Sequence, residues 1–170
     1  AFHAISAFNN AGFDILGSTS LQGFSSHLLL NLNTSFAIMM GGLGFVVIHD
    51  ILEKRSFKNL SIHSKIVIKM NLILWIGGML IFKITQNHQT SYTWLESFFL
   101  SVTARTAGFA NVNMTELSVL TVIFLLILMF IGAAPASTGG GIKVTTFYTM
   151  YHAVKSYATG KAPVVYKRVI

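Results

Sequence analysis

The chain has 170 residues, 53% of them hydrophobic and 10% charged, with a formal net charge of +7 and a mean hydropathy of +0.65. A soluble globular domain carries about 25% charged residues, so this composition fits one poorly and points to a polytopic membrane protein. With no cysteine in the chain, disulfides and thiolate metal sites are excluded.

Taken in order, the chain opens inside an apolar pattern (Ala1, Phe2, His3, Ala4, Ile5), with neither an initiator Met nor a secretory leader. It is therefore expected to be an internal segment of something longer. Residues 1–8 predict a short helix entering the membrane, and Asn9, Asn10, Ala11, Gly12 and Phe13 form a first glycine turn. Residues 14–26, rich in Gly and Ser, predict an outer loop. Residues 28–48 predict a first span interrupted by Gly41, Gly42, Leu43 and Gly44, followed by a basic inner loop over 50–64. A second span is expected over 66–84, with Lys69 and Lys83 near its ends, where long side chains can snorkel to the interface.

Residues 85–92 are polar and expected outside. A bilayer crossing needs about 20 apolar residues, so 94–103 is too short to cross. A second turn at Arg105, Thr106, Ala107, Gly108 and Phe109 ends it, and Asn111 and Asn113 mark the way out. A third span starts at Leu117 but meets Gly132, Pro135, Gly139, Gly140 and Gly141. Pro costs about 3 kcal/mol in a helix interior and each Gly about 1. The helix is expected to break near mid-membrane and to resume around 144–151.

Lys54, Arg55, Lys58, Lys65 and Lys69 cluster between the first two spans, and Lys155, Lys161, Lys167 and Arg168 follow the last. Residues 85–116 hold Arg105 alone among Lys and Arg. Basic residues favour cytoplasmic loops, which puts both clusters inside and 85–116 outside. A full crossing at 94–103 would leave the basic tail outside, so that segment is expected to enter and return on the same side. The positive charge is thus mostly a topology signal, not a nucleic-acid surface; docking of an acidic partner is the lesser alternative.

Ala11, Gly12 and Phe13 recur as Ala107, Gly108 and Phe109, each time after a short Phe-led stretch and before a long apolar segment. Irregular backbone at membrane depth is tolerated only where protein buries it or where it lines a watery cavity. A short helix entering the membrane directs its partly negative C-terminal end inward, and the glycine turn after it exposes backbone carbonyls. Rings of such carbonyls replace the hydration shell of potassium. The expected fold is all-α, with repeated helix, re-entrant pore loop and helix units of the potassium-channel type. Residues 1–50 would be one unit lacking its first helix, 51–65 a basic cytosolic loop, 66–158 a whole unit, and 159–170 a cytosolic linker.

At these residues the chain resembles the Trk/Ktr/HKT superfamily of potassium transporters, most closely the bacterial Ktr-type membrane subunit. The resemblance rests on residues 6–13, on 38–45, on 104–109, and most specifically on 133–143 with its Ser137, Thr138, Gly139, Gly140, Gly141, Ile142 and Lys143. It implies four units around one pore in a multi-pass protein of the bacterial plasma membrane, this chain supplying the second and third. It implies a potassium filter at Asn9, Asn10, Ala11, Gly12 and Phe13 and at Arg105, Thr106, Ala107, Gly108 and Phe109. It further implies a gating loop of Gly132, Ala133, Ala134, Pro135, Ala136, Ser137, Thr138, Gly139, Gly140, Gly141 and Lys143. The implied partners are the other two units, a second membrane subunit in a homodimer, a cytosolic nucleotide-binding ring and membrane lipid. No cofactor is expected, with potassium as substrate and sodium left open as a coupling or activating ion.

Other readings stand beside this one. Gly41 to Gly44 also suit close helix packing. The run from Gly139 to Lys143 is not a phosphate loop, because Ile142 separates Gly141 from Lys143 and no strand precedes it. Arg105 is expected to brace the turn from behind, with Glu96 or Asp14 as partner. Lys143 is expected to face the ion path or a carboxylate and bias the gate. The histidines show no metal spacing, and no nucleophile and base come together, so no enzyme is expected. A membrane-embedded scaffold and a secondary transporter with broken helices are the alternatives.

Overall fold

The computed structural model describes residues 1–17, 19–86 and 92–160, with two short strands beyond them. Seven α-helices make up the described body: α1 (Phe2–Phe8), α2 (Leu28–Leu43), α3 (Phe45–Lys54), α4 (Ile62–Thr85), α5 (Trp94–Thr103), α6 (Val119–Phe130) and α7 (Val144–Thr159). Strands β1 (Val164–Val165) and β2 (Arg168–Val169) pair antiparallel at the end. Part of the outer stretch expected over 85–92, His88 included, lies outside the described residues.

α4, α5 and α6 begin where hydroxyl side chains can take up amides that no helical turn satisfies. Ser61 Oγ accepts from Ser64 N at 3.2 Å to start α4, and Ser118 Oγ accepts from Thr121 N at 3.2 Å to start α6. α5 starts with a reciprocal cap: Thr93 Oγ1 accepts from Glu96 N at 3.2 Å, and Glu96 Oε2 accepts from Thr93 N at 2.8 Å. These caps hold α5 to the short span of 94–103 that the sequence predicts.

α4 is the scaffold on which α5, α6 and α7 pack. Ala7, Ile38, Trp75, Phe99, Val102, Ala107 and Phe109 form a core around both glycine turns. A second core gathers Phe82, Tyr92, Leu100 and Leu128; a third gathers Val47, Val67, Ile131, Ala134 and Val144. The outer face of α6 leaves Val119, Leu120, Ile123, Leu126 and Phe130 exposed, an apolar surface of the kind lipid covers.

Among the described residues only α4, with 24 residues, is by itself long and apolar enough to cross a bilayer. The first expected span is interrupted where its glycines predict, turning by 93° between α2 and α3. The helix passes through Gly41 and Gly42 and stops at Gly44, whose φ of 81° is left-handed. The inner loop is shorter than the expected 50–64, because α3 continues to Lys54 and carries Asp50, whose carboxylate holds Lys54 Nζ at 2.6 Å and Ser61 N at 2.9 Å. The third span breaks as its Pro and Gly content demands: α6 ends at Phe130 and the helix resumes at Val144.

Close packing accounts for one glycine of the interruption. A Cβ on Gly41 would lie 1.7 Å from the carbonyl oxygen of Phe8, at the end of α1. Gly77, on α4, has open space instead. Gly41→Ala should therefore destabilise the full-length protein by about 2–3 kcal/mol through overpacking, whereas Gly77→Ala should be neutral or stabilising by up to about 1 kcal/mol. Unfolding in detergent would read the two opposite signs.

Candidate functional site: two glycine turns and an unwound loop

The two turns share one backbone conformation. Asn10 and Gly12 have φ of 51° and 70°, and the equivalent Thr106 and Gly108 have 70° and 84°. Left-handed geometry at every second residue lets successive carbonyls turn to one side. Glycine adopts it without strain, and Asn more readily than other side chains. The short helices hold the turns from behind. Ala11 N donates to Ser6 O at 3.0 Å, and Ala107 N donates to Thr103 O at 3.1 Å while Thr103 Oγ1 donates to Phe109 O at 2.7 Å.

The turns meet at their glycines. A Cβ on Gly12 would lie 2.7 Å from Ala107 O, and one on Gly108 would lie 3.2 Å from Gly12 Cα. No side chain fits between them. The flanking phenylalanines differ: Phe109 is 1% exposed and lies 6.3 Å from the His3 ring, whereas Phe13 is 70% exposed. Asn9 caps α1 through Nδ2 to Ile5 O at 2.9 Å. A cavity of about 490 Å³ opens beside the second turn, reaching from Thr106 and Gly108 to Leu125 and Met129 of α6.

Residues 131–143 leave the helix yet keep their backbone paired. Gly132 N donates to Ile142 O and Ala133 N to Gly140 O, both at 3.0 Å, and Ile142 N donates to Phe130 O at 3.1 Å. The loop also docks on the bend of α2 and α3. Ala134 N donates to Gly42 O at 3.1 Å, Thr138 N to Gly41 O at 3.3 Å, and Phe45 N to Ala136 O at 3.2 Å. It reaches both turns as well: Asn10 Nδ2 donates to Thr138 Oγ1 at 2.8 Å, and Gly140 N donates to Thr106 Oγ1 at 3.0 Å.

Arg105 sits behind the second turn, 4% exposed. Its Nη1 donates to Asn71 Oδ1, its Nη2 donates to Gly132 O at 2.6 Å, and the guanidinium lies 5.8 Å from the Trp75 ring centroid. Neither expected carboxylate reaches it. Glu96 closes the cap at the start of α5, about 13 Å of helix rise away, and Asp14 Oδ1 accepts from Leu16 N at 3.0 Å. Lys143 likewise finds a carbonyl and no carboxylate: its Nζ donates to Gly139 O at 2.7 Å, within the loop.

Asn71 is the residue the sequence reading passed over. A single Asn inside an apolar helix is costly unless it has a partner, and that was its available signal. Its Nδ2 donates to Val67 O at 2.8 Å, one turn back on the same helix, which leaves Oδ1 turned to Arg105. Among the described residues, no three of His, Cys, Asp and Glu gather as metal ligands.

The model of the TrkH family, described as cation transport protein, matches residues 1–168. The chain is 38% identical to Ktr system potassium uptake protein B of Vibrio alginolyticus, over 99% of this chain and 39% of that protein. It is 39% identical to the protein of the same name in Bacillus subtilis, over 99% of this chain and 40% of that protein. Against the potassium/sodium uptake protein NtpJ of Enterococcus hirae the identity is 40%, over 85% of this chain and 34% of the relative. The chain thus spans about two fifths of the length of the Ktr proteins it matches. The crystal structure of the potassium transporter TrkH from Vibrio parahaemolyticus shares the fold, with a TM-score of 0.74 at 22% identity over 98% of this chain and 37% of that one.

The bifurcated reach of Arg105 needs a planar fork, which lysine lacks. Arg105→Lys is expected to destabilise the full-length protein by about 2–3 kcal/mol, the scale of a charge-assisted bond lost with its buried acceptor left unpaired. A double-mutant cycle with Asn71→Ala, read by unfolding in detergent, should give a coupling of about 1 kcal/mol or more. Zero coupling would mean that the Asn71 contact contributes nothing.

Proposed function

For a chain that belongs to the TrkH family of cation transport proteins, as this one does, we propose that the two glycine turns are half of a potassium-selective filter in a membrane uptake subunit. The observation that carries this reading is the repeated left-handed backbone at Asn10 and Gly12 and at Thr106 and Gly108, meeting where no side chain fits. Carbonyls turned to one side by such backbone can replace the water around a dehydrated potassium ion. The partly negative ends of α1 and α5 favour a cation at the same place.

Residues 131–143 are the gate in this reading. The loop lies against both turns, so an ion leaving them on the inner side meets it next. Two further units in the rest of the polypeptide complete the ring, in the bacterial plasma membrane. A homodimeric arrangement and a cytosolic nucleotide-binding ring supply the regulation. Transport of ions, not catalysis, is the activity. Glycine in both turns favours potassium over sodium, with sodium as a coupling or activating ion in keeping with the name of the Enterococcus relative.

Gly108→Ser in the full-length protein tests the filter. Its Cβ would crowd Gly12 from a residue with φ of 84°, so the ring must distort. Potassium over sodium discrimination in uptake assays should fall about ten-fold, the factor that about 1.4 kcal/mol of lost preference gives. An unchanged ratio and unchanged potassium affinity would overturn the assignment.

A further inference from the structure

Asn10 and Thr106 occupy equivalent left-handed positions in the two turns, and each uses its side chain on the same partner, the unwound loop. Thr138 is the centre of one contact: its Oγ1 accepts from Asn10 Nδ2 at 2.8 Å and donates to Phe8 O at 2.9 Å. The hydroxyl thereby takes up a carbonyl at the end of α1 that no helical turn can satisfy. In the other contact Thr106 Oγ1 accepts from Gly140 N at 3.0 Å.

The loop has two parts that differ in burial. Ala133 and Ala134 are buried, and Gly132 O is held by Arg105. Thr138, Gly140 and Gly141 are exposed, at a tip held by these side chains and by the backbone bonds of Thr138 N to Gly41 O and Phe45 N to Ala136 O. Each of the few bonds at the tip is worth about 0.5–1.5 kcal/mol net, so the tip can release while the buried arm stays. Left-handed Ala136 and Gly141, with φ of 54° and 75°, mark the two ends of that tip.

We propose that Asn10 and Thr106 are positioning residues that latch the gate loop to the filter through Thr138 and Gly140, so that opening the gate unloads both glycine turns at once. The inference rests on the filter and gate reading above and deepens it. Two side chains inside the filter segments then set how often the gate opens, while backbone carbonyls set which ion passes. Arg105, bonded to the arm and not to the tip, is the fixed post against which the tip moves.

The test uses the full-length protein in liposomes, with inserted protein quantified. Thr138→Val removes both bonds of the hydroxyl at nearly constant shape. It is expected to raise potassium flux about three- to ten-fold, the factor one or two net hydrogen bonds give, with the sodium to potassium ratio kept. Thr138→Ser retains the hydroxyl and should restore wild-type flux. Asn10→Gly suits the left-handed backbone, should raise flux alone, and should add little on top of Thr138→Val because both remove one shared bond. Flux that is unchanged or lowered in Thr138→Val, or effects that multiply in the double variant, would overturn the latch. Amide exchange over 136–141 gives a readout that needs no conduction: it should quicken in Thr138→Val and in Asn10→Gly, and equal exchange would also overturn the proposal. Failure of the filter reading shows differently, as an ion ratio unmoved by Gly108→Ser while loop exchange still responds.

Discussion

Inside a bilayer an amide that leaves its helix has no water to turn to, and it must find a partner in the protein. Two glycine turns and the loop 131–143 leave helical structure in this chain, and they answer that demand largely from one another. The loop pairs its own arms through Gly132, Ala133 and Ile142, docks on the open carbonyls of Gly41 and Gly42, and bonds the side chains of Asn10 and Thr106. α2 can offer those carbonyls because its helix ends at Leu43. The 93° turn into α3 is therefore part of the same arrangement: it frees the last carbonyls of α2, and the amide of Phe45 finds Ala136.

A buried guanidinium beside a proposed cation path poses an electrostatic problem, and the structure meets it without a carboxylate. Arg105 lies two residues past the end of α5, where the partly negative helix end favours a cation. Gly132 O and Asn71 Oδ1 accept from it, and the Trp75 ring lies within cation–π range at 5.8 Å. Neutral acceptors avoid bringing a second charge out of water, a cost that a buried ion pair does not always recover. They also leave the opposite side of the turn to its own backbone. The charge thus ties α4, the second turn and the start of the loop into one unit.

The two glycine turns are alike in backbone, and the chain that follows each of them differs. Left-handed residues recur at the same places in both turns. After the first turn the inner helix bends once, at Gly44; after the second it unwinds over 131–143. Phe13 lies exposed where Phe109 is buried against His3 and the core around Trp75.

Local chemistry made much of this legible in the sequence. The polar stretch before Trp94 and the glycine turn beyond Thr103 bounded α5, the Pro and Gly run broke the third span, and the repeated Ala-Gly-Phe pointed to the turns. Each depends on the conformational preference of a few consecutive residues. What the sequence alone left open is which distant groups those residues would meet. Arg105 found Asn71 and Gly132 in place of Glu96 or Asp14, Lys143 found Gly139, and the interruption expected at Gly41 to Gly44 became a 93° turn whose open carbonyls receive the loop. A charge inside a membrane protein takes whichever acceptor the packing of the helices brings within about 3 Å, and neither spacing nor composition encodes that approach. The sequence determined where the backbone must leave the helix; only the tertiary structure decided what it would bond to there.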